Sequence, residues 1–152
     1  MNGLSRFVLV FLLLFGNVLH SLAAEVDTIS IYSAAMKKSS KCVIILPHSY
    51  KANQGKQFPV VYLLHGYSGN YSNWILKVPT LGKYADEYNF IIVCPDGAYS
   101  SWYFDSPFDE NSRYKTYVGV EVPAFIDSAY HTIPDKNSRA ISGLSMGGHG
   151  AI

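Results

Sequence analysis

The sequence carries little charge, and its two signs are balanced. The 152 residues include 12 Lys and Arg against 11 Asp and Glu, and loss of Arg6 with the first 24 residues would leave 11 of each. Domains that bind nucleic acid or an anionic membrane surface usually carry a basic patch. The composition therefore gives no reason to expect nucleic acid as a partner, or a membrane once the first 24 residues are removed.

Metal ligands are scarce as well. The sequence has five histidines and two cysteines, and no two of the histidines have the spacing of a ligand pair with carboxylates nearby. We therefore expect no metal site and no cofactor. Repeats and low-complexity tracts are also absent, and the apolar and charged fractions are those of an ordinary globular protein, which argues against a disordered chain.

Only the amino terminus holds a long apolar run. Residues 7–15 form that run, and small residues end the segment at Ala23 and Ala24. The pattern is typical of a secretory signal peptide, whereas the alternative, a transmembrane anchor, needs about 18 to 20 unbroken apolar residues. We predict a signal peptide over residues 1–24, one domain over residues 25–152, and a secreted or periplasmic protein.

Short apolar runs separated by turn signals fill the rest of the chain. The run at 58–64 is apolar nearly throughout, as in a strand covered on both faces. Apolar side chains from Val118 to Ala129 recur at helical spacing. Alternation of strands and helices predicts an α/β fold with a mainly parallel sheet. The expected strands are 26–32, 42–46, 58–64, 90–94 and 138–142, the expected helices 80–88 and 118–129, and the expected connections 47–55 and 98–114.

The sequence Gly143-Leu144-Ser145-Met146-Gly147 directly follows the last expected strand. A serine at a tight turn from strand to helix has its hydroxyl held clear of the backbone, and flanking glycines leave room where a Cβ would collide with neighbouring chain. The pattern alone arises often by chance, so its place after a strand and before a helix start is what makes it informative. It predicts Ser145 as a hydrolase nucleophile.

A second element of such a site lies upstream, at the end of the 58–64 strand. There the chain reads His65-Gly66-Tyr67. In hydrolases of this kind, the loop after that strand gives one backbone donor to the oxyanion hole, and the residue after the nucleophile gives the other. The predicted donors are therefore the amides of Tyr67 and Met146.

With these residues the sequence resembles the putative-esterase group of α/β-hydrolases, which includes esterase D, S-formylglutathione hydrolases, tributyrin-type, feruloyl and acetylxylan esterases, and the mycolyltransferases. The similarity runs from about Lys41 to Ile152. It implies a three-layer α/β-hydrolase fold with strand order 1-2-4-3-5, and it supports the roles given to Ser145, Tyr67 and Met146. The motifs that carry it are the strand ending in His65-Gly66, VCPDG at 93–97, SWYFD at 101–105, YKTY at 114–117 ahead of Glu121, and GLSMGGHGA at 143–151.

The rest of the catalytic machinery is not expected within this sequence. In this fold the acid and the histidine follow the nucleophile in the chain, and only seven residues follow Ser145. We interpret His65 as a support of the oxyanion loop rather than the base, and His149 as a packing residue. We therefore expect a fold truncated after the nucleophile, so that residues 25–152 alone are inactive and poorly stable, with the edge of the last strand exposed.

The resemblance implies a secreted serine esterase that hydrolyses short acyl esters or the acetyl and aromatic esters of plant polysaccharides through an acyl-enzyme. Acyl transfer to a sugar, as in the mycolyltransferases, is the enzymatic alternative, and a non-catalytic binding module is the alternative of another class. Residues 70–74 and the aromatic stretch 100–108 are candidates for lining the substrate pocket. Packing in the core explains them equally well.

The two cysteines leave one further question open. In the strand order that the resemblance implies, Cys42 opens the second strand and Cys94 closes its antiparallel neighbour, so a disulfide is within reach. A bridge also requires the two side chains to share a face of the sheet. Free buried cysteines are common, and the sequence leaves both states open.

Overall fold

The computed structural model describes residues 23–53 and 55–152, so the predicted signal segment lies outside the described residues except for Ala23 and Ala24. No helix in this part of the chain is long and apolar enough to cross a membrane. The strands are β1 (Glu25–Ser33), β2 (Lys38–Leu46), β3 (Val60–Leu64), β4 (Ile91–Pro95) and β5 (Arg139–Gly143). The helices are α1 (Ser49–Ala52), α2 (Asn73–Lys77), α3 (Leu81–Tyr88), α4 (Tyr114–Thr116), α5 (Val122–Ala129) and α6 (Met146–Gly150), with a π-helical turn at Tyr117–Glu121 and a 3₁₀ turn at Lys136–Ser138.

The five strands form one mixed sheet in the order β1-β2-β4-β3-β5. Strands β1, β2 and β4 pair antiparallel, and β3 pairs parallel with β4 on one side and β5 on the other. The predicted order 1-2-4-3-5 is therefore confirmed. Leu64 pairs with Gly143, so the loops after β3 and β5 leave the sheet side by side at the edge where α/β folds place their sites.

Helices cover both faces of this sheet, which gives the predicted three layers. One face packs against the helical segment α4 to α5, whose Tyr117, Val122 and Ile126 are fully buried. The other face packs against α2 and α3, with Leu81 and Ala85 buried against β2 and β4. All five residues of β4 are buried, as expected for a strand that is covered on both faces.

The helix expected at 118–129 begins earlier than its apolar spacing indicates. Asp105 accepts hydrogen bonds from the Thr116 amide (3.0 Å) and hydroxyl (2.6 Å), and this polar contact orders the first turn at Tyr114. Ala129, predicted to face the sheet, is exposed because it is the last residue of α5. The loop 47–55 also contains a short helix, α1.

The two cysteines are free, and both are buried. Strands β2 and β4 are antiparallel neighbours as expected, but Val43 lies opposite Cys94, and Cys42 lies opposite Pro95. Successive side chains of a strand point to opposite faces, so this offset of one residue places Cys42 in the core under α5 and Cys94 in the core under α3. The disulfide that the sequence left open is therefore excluded.

Strand β5 lies at the edge of the sheet and is poorly covered. Three of its five residues are exposed, and Ile141 retains 41% of its accessible surface. An uncovered apolar edge strand favours pairing with other chains. The poor stability expected of residues 25–152 alone remains a prediction.

Candidate active site

Ser145 lies on a strained turn between β5 and α6. Its backbone has φ 54° and ψ −113°, a conformation that costs a non-glycine residue about 1–3 kcal/mol. The turn leaves Ser145 exposed, while the next residue, Met146, is fully buried. The turn therefore leaves the Ser145 side chain exposed, and the Met146 side chain anchors it in the core.

Two glycines allow this turn because of the space they leave. A Cβ on Gly143 would lie 2.3 Å from the carbonyl carbon of Gly147, and a Cβ on Gly147 would lie 2.3 Å from the Leu64 carbonyl oxygen. Neither glycine has a positive φ, so the requirement is close approach of backbone and not conformational freedom. The reason given for the Gly-x-Ser-x-Gly spacing is thus the one that operates here.

The loop after β3 lies directly against this turn. The Leu144 amide donates a hydrogen bond to the Leu64 carbonyl (3.2 Å), which extends the contact between the two strands beyond their ends. A Cβ placed on Gly66 would lie 3.7 Å from the Cβ of Ser145. Tyr67 and Ser145 also line one cavity. The two elements predicted from separate parts of the sequence are therefore brought together.

The amides of Tyr67 and Met146 are available for a ligand. Among the described residues, neither amide donates a hydrogen bond to a protein acceptor. The Met146 amide is free because Met146 is the first residue of α6, and the first amides of a helix have no partner within it. An oxyanion hole requires backbone donors of this kind.

His65 fixes the orientation of the first of these amides. Its buried ring accepts the Gly97 amide at Nε2 (2.8 Å), so Nδ1 carries the proton and donates to the Gly66 carbonyl (2.8 Å). That carbonyl and the Tyr67 amide belong to one planar peptide, in which C=O and N–H point in opposite directions. Holding the oxygen at His65 therefore directs the Tyr67 N–H away from the ring, and the Gly69 amide adds a second bond to the same oxygen (3.0 Å).

Among the described residues, neither His65 nor His149 makes a hydrogen bond to Ser145. Both ring nitrogens of His65 are bonded to backbone groups. His149 uses Nδ1 to bond the Trp102 carbonyl (2.8 Å), and its ring lies edge-on to the indole. The supporting role expected of His65 and the packing role expected of His149 agree with these contacts.

A cavity of about 250 Å³ opens beside Ser145. Four of its nine lining residues come from α2 and the residue after it, so the prediction that residues 70–74 line the pocket is correct for the end of that stretch. The indole of Trp74 is fixed by a hydrogen bond to the Leu64 carbonyl (3.0 Å). Lys77 and Val78 were missed, since a short helix gives no sequence signal of which residues turn toward a site. The lining residues are His65, Gly66, Tyr67, Asn73, Trp74, Lys77, Val78, Leu144 and Ser145.

The aromatic stretch 100–108 does not line this cavity. Tyr103 is buried against α6, where a Cβ added to Gly150 would lie 2.5 Å from the Cβ of Tyr103. Its hydroxyl donates to the His65 carbonyl (3.2 Å). Trp102, Phe104 and Phe108 are exposed. Core packing thus explains Tyr103, one of the two interpretations that the sequence left open.

Glu121, which follows the YKTY motif at 114–117, has a structural role. Its carboxylate accepts the Ser33 hydroxyl (2.5 Å) and the Ala35 amide (2.9 Å), and so ties the β1–β2 turn to the helical segment. Within the described residues, no group of three or more His, Cys, Asp or Glu is placed to hold a metal ion. The groups that the structure brings together at this site are the serine hydroxyl and the two backbone amides.

Comparisons with known proteins identify the family of this chain. The family model described as "Putative esterase" matches residues 33–152. An acetyl esterase of Caldicellulosiruptor saccharolyticus is 33% identical over 131 residues, which are 82% of this chain and 48% of the relative. An esterase of Mycobacterium tuberculosis is 31% identical over 117 residues, 72% of this chain and 24% of the relative.

Solved structures give the same result for the fold. A ferulic acid esterase superposes with a TM-score of 0.74 at 30% identity, covering 86% of this chain and 52% of that one. The S-formylglutathione hydrolase of Agrobacterium tumefaciens has a TM-score of 0.74 at 24% identity with the same coverages. This chain therefore spans about half the length of these proteins, or less.

Proposed function

This chain belongs to the putative esterase family, and from that premise we propose that its full-length gene product hydrolyses carboxylic esters through an acyl-enzyme on Ser145. The observation that carries the proposal is the exposed serine on a strained turn beside two unpaired amides. A pair of free backbone donors next to a nucleophile is what acyl chemistry needs to hold the oxyanion.

In the proposed reaction, Ser145 Oγ attacks the ester carbonyl carbon, and the carbonyl oxygen becomes negatively charged. The amides of Tyr67 and Met146 donate to that oxygen. Because both amides are held by the fold, they need no reorganisation as charge develops, and one such donor is typically worth about 3 kcal/mol of transition-state stabilisation. Collapse of the intermediate expels the alcohol, and water then releases the acid from Ser145.

The serine proton must pass to a base for this attack to occur at neutral pH. His65 and His149 are engaged with backbone carbonyls or amides as described. In α/β-hydrolases the acid and the histidine follow the nucleophile in sequence. We therefore propose that the acid and the histidine of this enzyme follow Ser145 in sequence.

The cavity beside Ser145 suits a small or flat acyl group. Apolar side chains of Trp74, Val78 and Leu144 line it, and about 250 Å³ is near the lower end of small-molecule sites. The names of the relatives, an acetyl esterase and a ferulic acid esterase, correspond to a short acyl and an aromatic acyl group. We propose esters of these two classes, carried on plant polysaccharides, as substrates of a secreted enzyme.

The test uses the full-length gene product with p-nitrophenyl acetate and a feruloyl ester. We expect turnover, a burst of p-nitrophenol, and covalent labelling of Ser145 by a fluorophosphonate. Ser145→Ala should lose all three, while Ser142→Ala, a matched change on the exposed edge of β5, should keep them. Burst release that survives in Ser145→Ala would contradict the proposal. Products formed with an added sugar acceptor instead of water would indicate acyl transfer.

A further inference from the structure

A cationic side chain lines the cavity beside the nucleophile. Lys77, the last residue of α2, shares this cavity with Ser145, and none of the described residues that line it is Asp or Glu. Lys77 makes no ion pair with a carboxylate of residues 23–53 and 55–152. The cavity therefore carries a positive charge that no protein group in this part of the chain neutralises.

The helix places Lys77 on the same face as two other lining residues. Side chains three or four positions apart are neighbours on a helix, so Lys77 lies beside Asn73 and Trp74. The Trp74 indole donates to the Leu64 carbonyl (3.0 Å), which fixes this face of α2 toward the end of β3. Lys77 is exposed, and a lysine keeps its ammonium in water while its methylene stem lies along an apolar wall. We therefore place the charge on the solvent side of the cavity.

Asn73 adds a hydrogen-bond donor to this face. Its Oδ1 accepts the Asn70 amide (3.2 Å), which identifies the oxygen and leaves Nδ2 as the other end of the side chain. Nδ2 has two N–H groups, and they bond no acceptor in the part of the chain that the structure describes. The ammonium of Lys77 is likewise a donor only. One turn of α2 therefore offers this cavity two donors and a positive charge.

We propose that Lys77 and Asn73 form an anion-binding end of the acyl cavity, and that the acyl group of the ester is a short chain ending in a carboxylate. An ionised carboxylate only accepts hydrogen bonds and supplies the opposite charge. The apolar side chains of Trp74 and Val78 line the same cavity and suit the methylene groups of such a chain. The inference rests on the proposed esterase function and specifies its acyl class as half-esters of short dicarboxylic acids.

The test compares two ethyl esters on the full-length gene product: monoethyl succinate, and ethyl levulinate, in which a methyl ketone replaces the carboxylate. The acid released is followed in a pH-stat. Wild type should favour the succinate in kcat/KM about fivefold, the scale of an ion pair that is open to solvent. The preference should lie in KM, because the pair forms equally in the ground state and the transition state. About 0.5 M NaCl should remove it.

Variants assign this preference to the two side chains. Lys77→Met keeps the apolar stem and should abolish the preference, whereas Lys77→Arg should keep it and Lys77→Glu should reverse it. Asn73→Asp keeps an acceptor for the Asn70 amide but replaces the donor by a second carboxylate, so it should also lose the preference. Lys83→Met makes the same charge change on the exposed side of α3 and should behave as wild type. A preference that survives in Lys77→Met, or none in wild type, would overturn the proposal.

A binding measurement separates this inference from the proposed function. Where neither ethyl ester is turned over, p-nitrophenyl acetate tells whether the proposed function has failed, and binding decides the inference. Monoethyl succinate is titrated calorimetrically into the Ser145→Ala protein, and Lys77→Met in that background should weaken its binding about fivefold, again the scale of an exposed ion pair. Equal binding by the two proteins, or no binding to Ser145→Ala, would overturn the inference.

Discussion

The two hydrogen bonds of His65 can be removed one at a time, and they should affect different properties. In His65→Asn, the side-chain amide can still donate to the Gly66 carbonyl from the position of Nδ1, but nothing accepts the Gly97 amide. In His65→Gln, the longer side chain can accept the Gly97 amide near the position of Nε2, but it cannot donate to Gly66. The two variants therefore test separately the hydrogen bond that orients the Gly66–Tyr67 peptide and the hydrogen bond to the Gly97 amide, which follows β4.

The magnitudes follow from the contacts. A buried amide left without an acceptor costs about 1–3 kcal/mol, so His65→Asn should lower the free energy of unfolding by roughly that amount. In His65→Gln the Gly69 amide still holds the Gly66 oxygen, so the Tyr67 donor is misdirected and not lost. Losing a donor outright reduces kcat about 10²- to 10³-fold. We therefore expect kcat to fall about tenfold to a hundredfold, which is about 1.4–2.7 kcal/mol.

The assay is kcat and KM for p-nitrophenyl acetate on the full-length gene product, with active sites counted by fluorophosphonate labelling, together with urea unfolding. Thr132→Val is the stability control, because it removes the hydrogen bond from a buried hydroxyl to Asp127 (2.6 Å) away from the oxyanion loop. If kcat follows stability across all three variants, or if His65→Gln keeps the wild-type kcat, then His65 does not orient the oxyanion donor.

Three further predictions concern the framework. Gly147→Ala should destabilise the protein by about 3 kcal/mol or more, because its Cβ meets the Leu64 carbonyl at 2.3 Å, whereas Gly148→Ala, with its nearest contact at 3.4 Å, should melt near wild type. Burial raises the pKa of both thiols, that of Cys94 to about 12, so both should resist iodoacetamide at pH 8 when folded and react after unfolding without reductant; labelling only after reduction would show that a disulfide forms. Residues 25–152 alone should aggregate and lack activity, and a cooperative, monomeric thermal transition would contradict this.

The nucleophile turn was predictable because its requirements are local. Gly143 and Gly147 are needed where backbones approach closely. Both lie within five consecutive residues, so this requirement can be recognised from the sequence. The strand order came from the resemblance and not from the pattern of apolar residues, since runs such as 58–64 and 90–94 look alike and do not specify their neighbours. The start of the helical segment was missed because a side chain eleven positions upstream, Asp105, bonds Thr116.

The pairing register of β2 and β4 could not be predicted from the sequence. Every residue of 42–46 is apolar or a cysteine, so a shift of one position between β2 and β4 leaves apolar side chains on both faces. Only the packed sheet decides that Val43 and not Cys42 lies opposite Cys94. The cavity wall at Lys77 and Val78 was missed for a related reason: α2 has five residues, too few for a periodic pattern to indicate which side faces the nucleophile.

The separation of the cysteines bears on where this protein can mature. Cys42 and Cys94 are the only cysteines of the sequence, and the sheet itself keeps them apart, so residues 25–152 need no oxidant to fold. This part of the chain can reach its final form in anoxic surroundings or in a reducing cytosol. Recombinant production of residues 25–152 therefore needs neither an oxidising host strain nor a disulfide isomerase.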